Sequence, residues 1–476
     1  MNFQAVIGLE IHVEIKTATK MFSGAPINFA AAPNTLVAPL DLAFPGTLPR
    51  VNQAAVEKAI QLSDALHMEI DRELHFDRKN YFYSDLPKGY QITQNYRPIG
   101  REGFLDLTLA NGNIKRVHIE RLHLEEDTAM QHHYHNQTLL DFNRAGIPLV
   151  EIVTHPDLST GEEAMKYVEK IREIVTFANV SDGKMEEGSL RCDVNISLRP
   201  FGCDKLGTKV EIKNLNSIAN VQKAIDYETI RQQKMLLKGE PVIQETRRFD
   251  EAKKATIRMR VKTDAVDYKY FPEANIIPIK LSEQFIDKAI KSRPELADQK
   301  RKRYINQYNL RDYDANILLI NPQNASYFDE AAQLTKAYQT LANWMNGEVS
   351  AYLNKTQIDI TTLTVKPSRL ADLVNLIEAG KLSNKQAREV FDLMLDDQNS
   401  PEKIAIDHHL LQLSDPQQIR PIVIEIIQAN PQSVEDFKAG KDRALGFIVG
   451  QVMKKMRGQA NPSLVSQIVN EEIKKV

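Results

Sequence analysis

The stretch VIGLEIHVEI, residues 6–15, alternates between apolar and polar side chains from Leu9 onward. This alternation is typical of a β-strand with one buried face and one open face. The open face carries Glu10, His12 and Glu14, which are ligand types for a divalent cation. A strand rises about 3.4 Å per residue, so Glu10 and His12 lie about 7 Å apart and can reach one ion, whereas Glu14, about 14 Å from Glu10, cannot easily share it. The alternative is an exposed strand face with incidental charges.

Length and composition predict a soluble globular protein of two or three domains. The 476 residues contain no run of about 18 apolar residues and begin without a secretory signal, so we expect neither a membrane span nor export. Two cysteines, Cys192 and Cys203, are too few for a disulfide framework or a four-cysteine zinc site, and together with the missing signal they predict a cytoplasmic protein. Because the net charge is −2, any RNA site must be a local patch.

The order of patterns along the chain predicts an α+β fold. Short alternating runs fill residues 1 to about 280, and Asn111-Gly112 between two of them indicates a hairpin. Helical patterns interrupt the strands around 53–68, 161–178 and 218–237, which favours a largely antiparallel sheet over a dinucleotide-binding unit. From Leu281 onward the chain reads as helical, and Asn461-Pro462 marks the start of a last helix.

Three further strand patterns place charged residues on one face. They are RLHLEEDTA (121–129), GSLRCDVNISLRP (188–200) and TKVEIKNLN (208–216). Glu151 in addition stands alone in the apolar run 147–153, where a carboxylate is costly unless it is paired or binds a cation. A structural Glu–Arg pair is the alternative there. Together these strands predict one sheet with an apolar back and a charged front, where carboxylates hold Mg²⁺ and basic residues hold phosphate. Such a face suits phosphoryl transfer to a carboxylate.

Two other segments invite a binding interpretation. The stretch FDRKNYFYSDLPKGYQITQ (76–94) interleaves basic and aromatic residues, a pattern that can bind an RNA end or a nucleotide base, although a surface hairpin with an aromatic cluster is the alternative. The histidine-rich stretch 131–135 lies in an apparent loop and is interpreted as a solvated turn rather than a metal site.

Over essentially its whole length, the chain resembles the B-subunit family of the tRNA-dependent amidotransferases. The resemblance rests on long strings in a fixed order: VIGLEIHVEIKT, DRKNYFYSDLPKGYQITQ, RLHLEEDTA, DFNRAGIPLVEIV, KMEEGSLRCDVNISLR, EIKNLNS, QETRRFD, DYKYFPE, ALGFIVGQVMK and GQANP. It implies a glutamine-synthetase-like cradle built on antiparallel sheet (1–292), an all-helical middle domain (293–407) and a small helical tail that grips tRNA (408–476).

The resemblance also implies a reaction. ATP phosphorylates the side-chain carboxylate of Glu-tRNA(Gln) or Asp-tRNA(Asn), and ammonia then displaces the phosphate. Ammonia comes from glutamine on the separate A subunit of the amidotransferase, and its small C subunit ties the other two together. The sequence does not tell which misacylated tRNA is used.

Site residues follow by position from the resemblance and from the strand faces. The resemblance implies as Mg²⁺ ligands Glu10, His12, Glu125 and Glu151. From the strand faces we add Glu187, Asp193 and Glu211 as candidates for metal or substrate-amine contacts, and Lys79, Arg191 and Lys213 as candidates for phosphate contacts. In the tail, the candidates for tRNA phosphate contacts are Lys441, Arg443, Lys454, Lys455 and Arg457.

The chain departs from the family at one place. Many members carry a four-cysteine zinc knuckle near the start, and here the four positions align with Ser23, Ala25, Ala38 and Asp41. None is a thiolate, so we expect no zinc, and we expect packing, including three prolines at 33, 39 and 45, to hold this loop.

Two alternative functions remain open on the sequence. One is a tRNA-binding scaffold whose carboxylate sheet is a relic, although a relic is expected to lose its ligands. The other is a free-standing glutamine-synthetase-like ligase for a small molecule, which the basic tail disfavours.

Overall fold

The structure is a computed structural model that describes residues 3–261, 267–413, 415–441, 443–456 and 460–475. The chain divides into two compact units, Met1–Leu296 and Ala297–Val476. Each is described by itself below.

In the part of the first unit that the structure describes, strands are combined with four helices. Its strands are β1 (Phe3–Glu14), β2 (Glu69–Ile70), β3 (Glu73–Leu74), β4 (Asp77–Asn80), β5 (Tyr90–Thr93), β6 (Gly100–Thr108), β7 (Ile114–Glu126), β8 (Met130–Tyr134), β9 (Gln137–Asp141), β10 (Pro148–Thr154), β11 (Leu190–Pro200), β12 (Val210–Lys213), β13 (Glu245–Asp250), β14 (Ala255–Val261), β15 (Phe271–Pro272) and β16 (Ile279–Lys280). Its helices are α1 (Gln53–Ala65), α2 (Gly161–Phe177), α3 (Ile218–Leu237) and α4 (Glu283–Lys291).

Nine of these strands form one sheet in the order β14-β13-β12-β11-β1-β10-β7-β6-β2. Among the described residues every neighbouring pair is antiparallel except β12 and β13, which are parallel. The α+β prediction is therefore confirmed. Strand β1, the stretch that opens the sequence argument, lies at the centre of the sheet between β10 and β11.

The apolar face of β1 forms part of the core. Ile7, Leu9, Ile11 and Val13 are at most 1% exposed, and helices α2 and α3 pack on the sheet. Full burial of one such side chain contributes about 1.5–3 kcal/mol. This apolar face sets the side on which the polar residues of β1 emerge, because successive side chains of a strand point to opposite faces.

Most local predictions hold. The three predicted helices correspond to α1, α2 and α3, and the Asn111-Gly112 turn joins β6 to β7. The histidine-rich stretch, expected as a loop, instead forms strand β8 of an exposed hairpin with β9. The single-sequence pattern missed this strand because neither of its faces is buried.

The loop that follows β1 is held by a buried ion pair. Lys20 Nζ, fully buried, donates to Asp41 Oδ2 at 3.0 Å and to the Phe142 carbonyl at 3.1 Å. The same carboxylate oxygen accepts from Ser23 Oγ at 3.2 Å and from the Ala38 amide at 2.8 Å. The three prolines that we expected to pack this loop are exposed. Charge pairing thus takes the role that we had assigned to proline packing.

The second unit is helical. Its α-helices are α5 (Ala297–Asn306), α6 (Asp312–Leu318), α7 (Pro322–Ala332), α8 (Tyr338–Trp344), α9 (Ser350–Thr356), α10 (Pro367–Glu378), α11 (Asn384–Met394), α12 (Pro401–Asp407), α13 (Pro416–Ala429), α14 (Pro431–Lys438), α15 (Arg443–Lys455) and α16 (Pro462–Ile473), with a π-helix at Met345–Val349 and a 3₁₀ helix at Ile360–Thr362. Helices α13 to α16 share an apolar core of their own. As expected, Asn461 caps α16, accepting from the amides of Ser463 and Leu464. No helix among the described residues is long and apolar enough to cross a membrane.

Candidate metal and phosphate site

Strand register assembles a row of charged side chains across the front of the sheet. His12 on β1 lies opposite Glu151 on β10 and opposite Arg191 on β11. Glu151 in turn lies opposite His123 on β7. Since adjacent strands are about 4.8 Å apart, residues from four strands that are distant in sequence become direct neighbours.

The first group of potential ligands, called the His12 group, consists of His12, Glu125 and Glu151. One ligand atom from each lies within 4.8 Å of the others. His12 Nε2 is 3.5 Å from Glu125 Oε1 and 3.6 Å from Glu151 Oε2. One imidazole nitrogen and two carboxylates form a donor set that fits a divalent cation.

His123 belongs to this site although the sequence analysis did not select it. Its Nε2 is 3.1 Å from Glu151 Oε2 and 3.7 Å from Glu125 Oε2, and its side chain is buried. Burial lowers the pKa of His123, but the charge of Glu151 and its hydrogen bonds with Glu125 and Glu151 outweigh this effect, so the pKa is raised. A partner of this kind fixes the orientation of a ligating carboxylate. The sequence does contain a signal for His123, because the alternation of this strand places it on the same face as Glu125.

The second group, called the Glu10 group, consists of Glu10, Asp193 and Glu211, whose ligand atoms also lie within 4.8 Å of one another. Lys213 Nζ is 2.5 Å from Asp193 Oδ2 and 3.3 Å from Glu211 Oε1, so an ammonium already bridges two of its carboxylates. Burial lowers the pKa of Lys213, but these two charges outweigh it and raise the pKa.

Two polar side chains complete the Glu10 group. Asn195 Nδ2 donates to Glu10 Oε1 at 2.7 Å, and Thr246 Oγ1 donates to Glu211 Oε2 at 2.8 Å.

The structure places Glu10 and His12 in different groups of potential ligands, whereas the spacing argument had assigned both to one ion. Residues i and i+2 of a strand are about 7 Å apart, whereas cross-strand neighbours are about 4.5–5.5 Å apart. Each therefore groups with residues of adjacent strands, Glu10 with Asp193 and His12 with Glu151.

Glu14 belongs to neither group. Its side chain is buried, and one carboxylate oxygen, Oε2, has no hydrogen-bond partner. Burial and the nearby charge of Asp127 raise the pKa of Glu14 to about 7, against the opposing effect of Arg191 and Arg144. Burial of this carboxylate therefore favours its protonated form.

The basic candidates border the two groups to different degrees. Lys79 is half-buried, and burial lowers its pKa, but the charges of Glu125 and Glu151 outweigh this effect and raise the pKa. Arg191 donates to Asp127 Oδ2 at 2.6 Å. Glu187, in contrast, is exposed and pairs with Lys184 at 2.7 Å, so the structure does not bring it to either group.

The tail candidates that the structure describes lie on the surface of the second unit. Lys441 pairs with Asp436 at 2.9 Å, and Lys455 pairs with Glu425. Arg443 and Lys454 are exposed at opposite ends of α15. Arg457 lies outside the described residues.

Comparison with known proteins shows the family of the chain. Residues 5–287 match the model of the GatB/GatE catalytic domain, and residues 326–473 match that of the GatB domain. The B subunit of the aspartyl/glutamyl-tRNA(Asn/Gln) amidotransferase from Geobacillus kaustophilus is 49% identical over 476 residues, all of both chains. The protein of the same name from Oceanobacillus iheyensis is 48% identical over 474 residues, 99% of each chain. The chain therefore belongs to the family of B subunits of the aspartyl/glutamyl-tRNA(Asn/Gln) amidotransferase.

Proposed function

We propose that this chain converts misacylated Glu-tRNA(Gln), Asp-tRNA(Asn) or both to the amidated forms, as an ATP-dependent ligase that takes ammonia derived from glutamine. In the first step a carboxylate oxygen of the aminoacyl side chain bonds to the γ-phosphorus of ATP, and ADP leaves. In the second step ammonia bonds to the acyl carbon, phosphate leaves and the nitrogen loses a proton. Activation must come first because a carboxylate oxygen is a poor leaving group at neutral pH.

The convergence of His12, Glu125 and Glu151 from three strands carries the proposal. This donor set fits Mg²⁺, which when bound neutralises phosphate charge and aligns it for transfer. His123 orients Glu151 through its 3.1 Å contact. We assign to Lys79 and Arg191 the stabilisation of phosphate charge, because both cations border this group.

We assign the Glu10 group to the substrate side of the site. Asp193 and Glu211 hold the Lys213 ammonium in the structure, and the same carboxylates can hold the amine of the aminoacyl group or a metal. We assign Lys213, once the substrate amine replaces it in that pairing, to the stabilisation of phosphate charge. Glu187 is the weakest of our candidates, because it is exposed and already paired with Lys184.

The finer architecture is also part of the proposal. We describe the first unit as a glutamine-synthetase-like cradle (1–292) and divide the rest at 407/408 into a middle domain (293–407) and a tRNA-binding tail (408–476). The separate apolar core of α13 to α16 supports this division. The proposed partners are the glutaminase, or A, subunit of the amidotransferase, its small C subunit, and tRNA. The proposed location is the cytoplasm, where those tRNAs are used.

We propose no zinc for the loop after β1. Three of the four knuckle positions are an alanine, an alanine and a serine, and the fourth is Asp41, which is already paired with the buried ammonium of Lys20. A cation that the chain carries itself therefore neutralises the one charged side chain at these positions.

Reconstitution tests the proposal. The chain is assembled with the A and C subunits, and each misacylated tRNA is supplied in turn with ATP and glutamine. We expect amidated tRNA and ATP consumption in equal amounts. Binding of tRNA without either reaction favours the scaffold, and ATP-dependent amidation of a free amino acid without tRNA favours the small-molecule ligase.

The tail is tested by truncation. A chain that ends at residue 407 is expected to bind tRNA more weakly and with a shallower dependence on salt, since phosphate contacts release counterions. Unchanged affinity and salt dependence would contradict the role of the tail.

A further inference from the structure

A chain of tyrosine rings, called the tyrosine wall, links two distant segments of the first unit. The ring centroids of Tyr81 and Tyr268 are 6.1 Å apart, and those of Tyr268 and Tyr270 are 6.0 Å apart. Tyr96 extends the wall, with its centroid 6.5 Å from that of Tyr270. All three pairs meet edge to face, with interplanar angles between 68° and 75°.

Backbone contacts fix the two segments together. Phe271 of β15 pairs with Arg78 of β4, and the Asn80 amide donates to the Tyr268 carbonyl at 3.0 Å. Asn80 Nδ2 donates to the Lys269 carbonyl at 2.7 Å. Strand pairing thus holds Tyr268 and Tyr270 beside Tyr81, and the Tyr96 hydroxyl donates to the Tyr270 carbonyl at 3.1 Å.

The wall stands beside the His12 group. Lys79 Nζ is 5.0 Å from the centroid of the Tyr268 ring and 5.9 Å from that of Tyr81. The charges of Glu125 and Glu151 act on the same ammonium and on the hydroxyl of Tyr270. Lys79 is therefore close to both the carboxylates of the His12 group and the tyrosine rings.

These rings do not contribute to the apolar core. Within the described residues, none of the four tyrosines belongs to the buried core of the unit. Tyr81, Tyr268 and Tyr270 are half-buried, and Tyr96 is 60% exposed. An aromatic surface that is built by strand pairing, left accessible and placed next to a lysine has the composition of a base-stacking site.

We propose that Tyr81, Tyr268 and Tyr270 form a binding surface for an adenosine, whose base stacks on the rings while Lys79 contacts its phosphate. This inference rests on the proposed function, which brings adenosine to the site from two sources. One is ATP, and the other is the 3′-terminal nucleotide of tRNA, whose ribose carries the reacting aminoacyl group.

Substitution in the assembled heterotrimer tests the wall. We expect Tyr268→Ala and Tyr270→Ala to weaken binding of one adenosine source by about 5- to 150-fold, the usual cost of losing one stacked ring. Tyr268→Phe and Tyr270→Phe keep the ring and are expected to bind within about threefold of the unsubstituted heterotrimer. Tyr134→Ala removes a tyrosine that is 59% exposed on the β8–β9 hairpin and serves as the matched control.

Two binding measurements separate the sources. The first uses adenylyl imidodiphosphate without tRNA, and the second uses uncharged tRNA without nucleotide, either intact or lacking its terminal adenosine. If the wall holds the tRNA end, removing the terminal adenosine weakens binding to the unsubstituted heterotrimer but not to the alanine variants. If the wall holds ATP, the alanine substitutions weaken binding of adenylyl imidodiphosphate and leave binding of both tRNA forms unchanged.

The proposal is overturned when the alanine variants bind both probes within threefold of the unsubstituted heterotrimer. Should an alanine variant not assemble, Tyr268→Leu keeps the volume without the ring and gives the same comparison. Failure of the wall is distinct from failure of the proposed function, because the latter would remove amidation by the unsubstituted heterotrimer as well.

Discussion

Two groups of three potential ligands share strand β1 and differ mainly in the cation that each already holds. The Glu10 group contains three carboxylates, and the Lys213 ammonium bridges two of them. The His12 group contains two carboxylates whose nearest basic partners are the imidazoles of His12 and His123. An imidazole nitrogen can itself ligate a metal, whereas an ammonium has no free lone pair and can only compete with a metal for the carboxylate oxygens. The comparison therefore predicts that the His12 group accepts an external divalent cation more readily than the Glu10 group.

The first and largest test removes the imidazole from the His12 group. We expect His12→Ala to lower tRNA-dependent ATP hydrolysis by more than about 100-fold, because even an outer partner of a metal ligand is worth about 10–100-fold. Affinity for tRNA should stay within about threefold, since base and phosphate contacts elsewhere are untouched. Both quantities are measured in the assembled heterotrimer.

The control is Glu120→Gln, a half-exposed carboxylate on the same strand as Glu125 that pairs with Arg121. It should leave ATP hydrolysis unchanged. Normal ATP hydrolysis by His12→Ala would contradict the assignment of the His12 group as the metal site. It would then also contradict the proposed difference between the two groups.

The second test uses Glu14, the carboxylate of β1 that belongs to neither group. Its pKa of about 7 lies above the ordinary 4.5, so the fold favours the protonated form and loses stability as pH rises from about 4.5 to 7. A shift of this size corresponds to about 3 kcal/mol at pH 8. Glu14→Gln imitates the protonated acid and is therefore expected to raise the thermal unfolding midpoint at pH 8 but hardly at pH 4.5.

Glu240→Gln, at an exposed position after α3, supplies the reference for this experiment. The prediction is contradicted if the unfolding midpoints of Glu14→Gln and the unsubstituted chain differ by the same amount at both pH values. Nearby positive charges would then stabilise the ionised form of Glu14, as they do for the carboxylates of the two groups.

Local patterns made the elements of the first unit predictable. The alternation of β1, the Asn-Gly turn after β6 and the periodicity of α2 are short-range signals, and each produced the predicted element. The alternation also placed Glu125 on a strand with a charged front, whereas Glu151 was selected as a lone carboxylate in an apolar run. Their convergence with His12 was implied by the family resemblance, not by spacing.

Contacts between distant segments were not predictable from one sequence. The register of β7 against β10, which places His123 beside Glu151, is set by the whole sheet. For the same reason the sequence argument joined Glu10 to His12, its neighbour along the strand, instead of to Asp193, its neighbour across it. Tyr268, which reaches Lys79 from a segment far along the chain, was missed in the same way.

The last and smallest test asks whether the Lys213 ammonium weakens the binding of a divalent cation by the Glu10 group. Replacing the ammonium by an apolar side chain of similar length, Lys213→Met, leaves Asp193 and Glu211 without their shared counter-charge. Opposite charges about 4 Å apart near a protein surface interact by about 4 kcal/mol, part of which becomes available to a divalent ion. We expect Mn²⁺ to bind the variant at one additional site, or about 10-fold more tightly at the weaker of two sites, as counted by titration of the free-ion signal.

Combining Lys213→Met with His12→Ala should retain the new binding, because the two groups use different carboxylates. If Lys213→Met binds no more Mn²⁺ than the unsubstituted chain, the bridging ammonium does not cause the difference between the two groups. The next side chains to replace are then Asn195 and Thr246. They donate hydrogen bonds to oxygens of Glu10 and Glu211 and so compete with a cation for them.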